Sequence, residues 1–166
     1  MRLAPLPVDA LQALLRGDLE AASTISGVTL TPYFVEHQWL WAIRLAQIRR
    51  DHQVADWIAR AAVDEEMVVG HVGFHGPPDD RGMVEVAYSV DPEFRRRGYA
   101  KKMLGAALAW AHQDSRVTLV RASVGPGNVA SIATLAAFPF ELVGKQWDEA
   151  DGLELVYELR SGGKDR

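Results

Sequence analysis

The segment from Val84 to Ala111 limits what the rest of the chain can fold into, because it joins a strand to a helix through a charged turn. Val84, Val86, Tyr88 and Val90 alternate with Glu85, Ala87 and Ser89, which is the period of a strand with two distinct faces. Ala100, Met103, Leu104, Ala107, Leu108 and Ala111 recur at helical spacing. Between the two runs lie Arg95, Arg96, Arg97 and Gly98. The first N–H groups of a helix lack intrahelical partners, the dipole there favours an anion, and glycine permits close backbone approach. Such a turn can hold phosphate. Residues 91–102 carry five positive and two negative side chains, a local charge of +3 in a chain of formal net charge −4. A P-loop is excluded because no glycine run ends in Lys-Ser or Lys-Thr, and Gly-x-Gly-x-x-Gly is also absent.

The remaining residues predict a single domain over 1–166, with a frayed polar tail at 161–166. An apolar fraction of 48% is enough for a core, and the absence of cysteine removes disulfides, thiolate nucleophiles and cysteine metal sites. Without a long apolar run or a broad basic surface, neither a membrane nor a nucleic acid is expected as partner, and the cytoplasm is the expected compartment. In order, the pattern predicts an edge strand at Leu3–Pro7, a helix at Val8–Leu15 stopped by Gly17, and a short helix capped by Asp18 and ending at Ala22. A loop over 23–31 follows, then a helix opened by Pro32 and continued over Tyr33–Arg49. Its stripe of Phe34, Trp41, Leu45 and Ile48, broadened by Trp39 and Leu40, is a core face, or in part the wall of an acceptor pocket. Strands are expected at Val54–Val63, Met67–His75 and Val117–Val124. A short helix should start at Asn128 or Ser131 and run through Ala137, before a closing hairpin of Glu141–Trp147 and Leu153–Arg160. The order describes a mixed α/β domain with antiparallel and parallel pairing.

Arg95-Arg96-Arg97-Gly98-Tyr99-Ala100 has the form Arg-x-x-Gly-x-Ala, which resembles the acyl-coenzyme-A pyrophosphate loop of the GNAT superfamily of N-acetyltransferases. The preceding Val84-Glu85-Val86-Ala87-Tyr88-Ser89-Val90-Asp91-Pro92 resembles the corresponding strand of the ribosomal-protein-acetyltransferase-like branch. Asn128-Val129-Ala130-Ser131, with Phe140 nine residues after the serine, resembles that family's second cofactor segment. The resemblance implies a GNAT-like fold, a central, mostly antiparallel sheet of about six or seven strands flanked by helices. It also implies acetyl-CoA as co-substrate and a small-molecule primary amine or protein N-terminus as acceptor. The cofactor would sit where the Val84–Val90 strand splays from the Val117–Val124 strand, with a main-chain N–H near Tyr88, Ser89 or Val90 polarising the thioester carbonyl. Arg95, Arg96, Arg97, Gly98, Tyr99 and Ala100 would hold the phosphates, and Asn128 and Ser131 would line the pantetheine arm; as sequence alone, the latter two are equally helix caps. Glu85 is the expected general base, since a carboxylate can take the proton that an attacking amine must lose. Its bland alternative is a carboxylate facing solvent or bridging to Arg60.

Two departures stand out. Leu135 occupies a position where many members of the family carry a tyrosine that protonates the leaving thiolate, and Pro139-Phe140 replaces the usual Gly-Phe. The first motivates an alternative, a non-catalytic module that binds acyl-CoA. His71 and His75 share a strand face, yet four strand residues span about 13 Å, so no metal site is expected. The closing hairpin could supply an edge for a homodimer.

Overall fold

The computed structural model describes residues 1–160; the frayed tail expected over 161–166 lies outside the described residues. Seven strands make one sheet: β1 (Arg2–Pro5), β2 (Arg60–Asp64), β3 (Met67–Phe74), β4 (Met83–Val90), β5 (Leu119–Val124), β6 (Glu141–Asp148) and β7 (Gly152–Arg160). Their order is β1-β2-β3-β4-β5-β7-β6, and every neighbouring pair is antiparallel except β4 and β5. The helices are α1 (Val8–Leu15), α2 (Leu19–Ser26), α3 (Tyr33–Glu36), α4 (Gln38–Arg50), α5 (Ala55–Ile58), α6 (Tyr99–Ala111) and α7 (Val129–Leu135).

The two faces of β4 meet different helices. Val84 and Val86 are buried on the face covered by α6, whose Met103, Leu104, Ala107, Leu108 and Ala111 supply the opposing stripe. That is the periodicity of the sequence expressed as burial. Ser89 pairs with His71 on the other face, beneath the aromatic side chains of α3 and α4; Phe34 and Trp41 are fully buried there and their rings stack at 5.9 Å. The sheet centre is thus covered on both sides, which accounts for the nearly continuous burial along β3.

Three expected elements differ by more than two residues or a break, each for a local reason. The loop expected from residue 23 is helical to Ser26, because the hydroxyls of Ser23 and Ser26 donate to the carbonyls of Leu19 and Ala22 at 2.8 Å, so the serines support the helix instead of ending it. Gly27, at φ 69°, ends α2 in the left-handed region. The helix expected over Tyr33–Arg49 is two helices broken at His37, whose φ is −108° and ψ 37°. There the Nδ1 of His37 donates to the Tyr33 carbonyl at 2.8 Å, taking the acceptor that a continuous helix would give to a backbone amide. The strand expected from Val54 starts only at Arg60: Asp51 caps a turn at Gln53 N (2.9 Å), and the backbone stays helical through Ile58, burying Trp57 and Ile58.

Candidate active site

The site begins with a pairing that stops. β4 and β5 run in register at Met83–Leu119, Val84–Val120 and Glu85–Arg121, and no further. Beyond Glu85, β4 continues beside β3 to Val90, while β5 continues beside β7 to Val124. The two strands therefore splay, leaving the main-chain groups of Val86 to Val90 that face β5 without a sheet partner. The chain needs Gly70 here, since a Cβ at that position would lie 2.2 Å from the Ser89 carbonyl oxygen, where β3 crowds the end of β4.

A cavity of about 530 Å³ opens at the splay toward the basic loop. It is lined by Tyr88, Ser89, Val90, Arg95, Arg96, Gly98, Tyr99, Ala100, Asn128 and Ser131, ten of the cofactor residues expected from sequence. Arg97 is not among the lining residues: its guanidinium lies 5.8 Å from the centroid of the Phe94 ring. Phe94, Lys101, Ala130 and Thr134 also line the cavity; Thr134 was within reach of sequence reasoning, being one helical turn beyond Ser131. Arg96 (φ 61°) and Gly98 (φ 81°) both take left-handed backbone within the loop, so its amides turn toward one side, in the manner of an anion nest. Gly98 is the N-cap of α6 and no side chain caps that helix, so its first-turn N–H groups remain free for a ligand anion.

Asn128 does both things expected of it. Its Oδ1 accepts from Ser131 N at 3.1 Å, capping α7, and the residue lines the cavity as well. Leu135 points away, 1% exposed in the core. A different hydroxyl faces the cavity: Tyr88 Oη is buried with no hydrogen-bond partner. Burial raises the Tyr88 pKa, against an opposing pull from the nearby Ser131 and Thr134 side chains.

Tyr88 and Ser89 also line a second cavity of about 240 Å³ on the opposite face of β4, between α4 and β3. Its walls include His37, Trp39, Trp41, Arg44 and His71, so the wall-of-a-pocket reading and the core reading of the helical aromatics each describe part of the stripe. Ser89 Oγ shares a hydrogen bond with the Tyr33 hydroxyl, and Thr31 Oγ1 donates to buried Asp91 at 2.6 Å, which ties the α2–α3 loop to the end of β4. The pKa of His71 is lowered to about 3, first by burial and then by His37 and Arg44, and its Nε2 has no partner.

Glu85 lines neither cavity. Its Oε1 accepts from Ser123 Oγ at 2.6 Å, Gln146 Nε2 donates to the same serine at 3.1 Å, and His75 Nδ1 stands 3.8 Å from Oε2. The bridge to Arg60 weighed from sequence is absent: Arg60 lies over the Trp110 ring at 4.1 Å and donates to the Asp56 carbonyl. Glu85 is half-buried and shares its strand face with Ala87 and Ser89, which line the second cavity. Among the described residues no group of three or more His, Cys, Asp or Glu is placed to hold a metal, and no helix is long and apolar enough to cross a membrane.

Comparison with known proteins agrees with this architecture. The family model described as "Acetyltransferase (GNAT) domain" matches residues 1–141. A curated relative, the uncharacterized N-acetyltransferase YjdG of Bacillus subtilis (strain 168), is 32% identical over 79 residues, covering 48% of this chain and 47% of that protein. The match therefore spans about half the relative's length. Among solved structures, ribosomal-protein-alanine N-acetyltransferase from Brucella melitensis superposes with a TM-score of 0.61 at 23% identity, over 97% of this chain and 100% of its own. The aminoglycoside acetyltransferase AAC(6')-Ib in complex with coenzyme A gives 0.65 at 16% identity, over 95% and 93%.

Proposed function

The chain belongs to the GNAT acetyltransferase family, and from that premise we propose that it is a single-domain enzyme moving an acetyl group from acetyl-CoA directly to a primary amine. The observation that carries the reading is the pair of cavities on opposite faces of β4, with Tyr88 and Ser89 common to both. One cavity ends at a nest of main-chain amides and arginines, the other is closed by aromatic side chains. Two substrates bound one in each would approach each other across the end of β4.

Acetyl-CoA supplies an activated acyl carbon and a thiolate leaving group. The amine nitrogen bonds to the thioester carbonyl carbon, the C–S bond breaks, the sulfur takes up one proton, and the amine loses one. The amides of Arg96 to Ala100, with the Arg95 and Arg96 side chains, hold the pyrophosphate. Main-chain N–H groups of Tyr88–Val90 that face the splay, away from β3, polarise the thioester carbonyl. Asn128 and Ser131 flank the pantetheine arm. The buried Tyr88 hydroxyl is the proton donor that Leu135 cannot be. Glu85, held by Ser123 and His75, accepts the amine proton through water rather than by contact, since it stands outside both cavity linings. The acceptors named for the two structural neighbours, a ribosomal protein and an aminoglycoside, bracket a protein N-terminus and a small molecule. The exposed β6 edge is the surface through which a homodimer would form.

Calorimetry with acetyl-CoA tests the reading. Wild-type protein is expected to bind in the micromolar range. Arg96→Ala should weaken binding about tenfold, the loss of a charge-assisted contact, while Arg97→Ala should leave it within about twofold because Arg97 stands off the cavity. Folded protein that binds no acetyl-CoA would sink the proposal. Tight binding without turnover over a broad amine panel would instead favour the non-catalytic module.

A further inference from the structure

The acceptor-side cavity has a charge that the sequence did not advertise. None of its lining residues is Asp or Glu. Arg44 is among them, only 7% exposed, and makes one side-chain hydrogen bond, from Nη1 to the neutral Gln47 Oε1 at 2.9 Å. It has no ion pair among the described residues. Glu85, on the same face of β4 as Ala87 and Ser89, is engaged by Ser123 and His75.

A guanidinium removed from water and left without an anion is an expensive arrangement, and proteins retain buried charge where a partner completes it. The Arg44 charge reaches the cavity wall, where it helps to lower the pKa of His71. Such a field opposes the entry of a polycation. The remaining walls combine the apolar Trp39, Leu40, Trp41 and Ile58 with the neutral polar side chains of Tyr88 and Ser89 and the rings of His37 and His71. The cavity of about 240 Å³ has room for the body of an amino-acid-sized molecule.

We infer that the acceptor is a small amine that also carries a carboxylate, an apolar or aromatic amino acid in chemical class, with Arg44 binding the carboxylate as the specificity-determining residue. Arg's planar fork suits a carboxylate through two parallel N–H···O bonds. With the carboxylate at Arg44 on α4, the apolar body lies against the tryptophans and the amine points to Tyr88 and Ser89 on β4, where the acetyl group is delivered. The amine gains the acetyl group as an amide, coenzyme A leaves as the thiol, and the acceptor's carboxylate is unchanged. This rests on the acetyltransferase reading above.

The test pairs acceptors that differ only in the carboxylate: phenylalanine, leucine and tryptophan, each against its carboxamide and its decarboxylated amine, with spermidine and kanamycin as polycations. Release of coenzyme A thiol is followed for wild type, Arg44→Gln and Arg44→Lys, and acetyl-CoA binding is measured on each by calorimetry. For wild type, kcat/KM should favour at least one free acid over its carboxamide and amine by about tenfold or more, as expected when a charged hydrogen-bonding partner is lost. Arg44→Gln should erase that preference with acetyl-CoA affinity unchanged, and Arg44→Lys should restore part of it. Carboxamides or polycations used as well as the free acids would overturn the inference and point to peptide N-termini or polyamines. So would acetyl-CoA binding with no free acid acetylated, a result that leaves the cofactor site standing. Failure of wild type to bind acetyl-CoA would overturn the acetyltransferase reading itself. The wild-type comparison is independent of whether the Arg44 variants fold.

Discussion

His71 shows how much one side chain reports about its surroundings. Ringed by Tyr33, Phe34, His37 and Trp41 within 5.3–5.9 Å of its own ring centroid, it is held neutral, with a pKa of about 3. In the unfolded chain the same imidazole takes a proton near pH 6.5. Below that pH the unfolded state binds the extra proton, so stability falls as pH drops from about 6.5 toward 3 and is independent of this group above it. Between pH 7 and pH 5 wild type should lose about 2 kcal/mol more unfolding free energy than His71→Phe, measured by urea titration. Glu85 gives a different test. Under the proposed mechanism, in which Glu85 takes the amine proton from outside both cavities, Glu85→Gln should lower kcat about 100-fold while acetyl-CoA affinity holds. At this scale the sequence was most informative where backbone does the work. Gly98 between a strand and a helix, and Asn128 before one, announce themselves by type. Arg44 did not, since its surroundings depend on elements distant in sequence that only the folded sheet brings together.

Among the elements, α7 is capped by a residue that also lines the large cavity, Asn128. Asn128→Ala should cost about 1 kcal/mol through the lost cap and weaken acetyl-CoA binding too. Asn128→Asp should keep the cap and the stability yet still bind acetyl-CoA more weakly, because a carboxylate replaces a neutral amide beside the anion site. Thermal unfolding and calorimetry on the two variants separate capping from contact. The junction of β3 and β4 has its own test: Gly70→Ala forces a Cβ to 2.2 Å from the Ser89 carbonyl and should destabilise the fold by about 3 kcal/mol, read by urea titration. Strands and helices with clean periodicity, such as α6 and β4, could be placed from sequence to within a residue or two. The break at His37 and the helical run to Ile58 could not, because each depends on a side chain, of His37 or Asp51, competing for a backbone group.

Across the molecule, burial falls from the sheet centre toward the β6 edge. β3 and β4 lie under helices on both faces, whereas β6 is an edge strand with Leu142, Val143 and Trp147 more than half exposed, Trp147 at 76%. Amide hydrogen exchange should therefore be slowest in β3 and β4 and fastest in β6. Acetyl-CoA should add protection over residues 88–101 and 128–134 while leaving β6 unchanged. The shared wall of Tyr88 and Ser89 carries a consequence for chemical intervention. Under the proposed function each co-substrate takes its own chamber, and because Tyr88 and Ser89 line both, one molecule reaching across β4 would occupy the two at once. Coenzyme A joined through its sulfur to an amine by a two-carbon bridge would pay the entropic cost of assembly only once and hold on far longer than either half. Lengthening that bridge atom by atom until affinity peaks would turn the molecule itself into a ruler for the gap across β4.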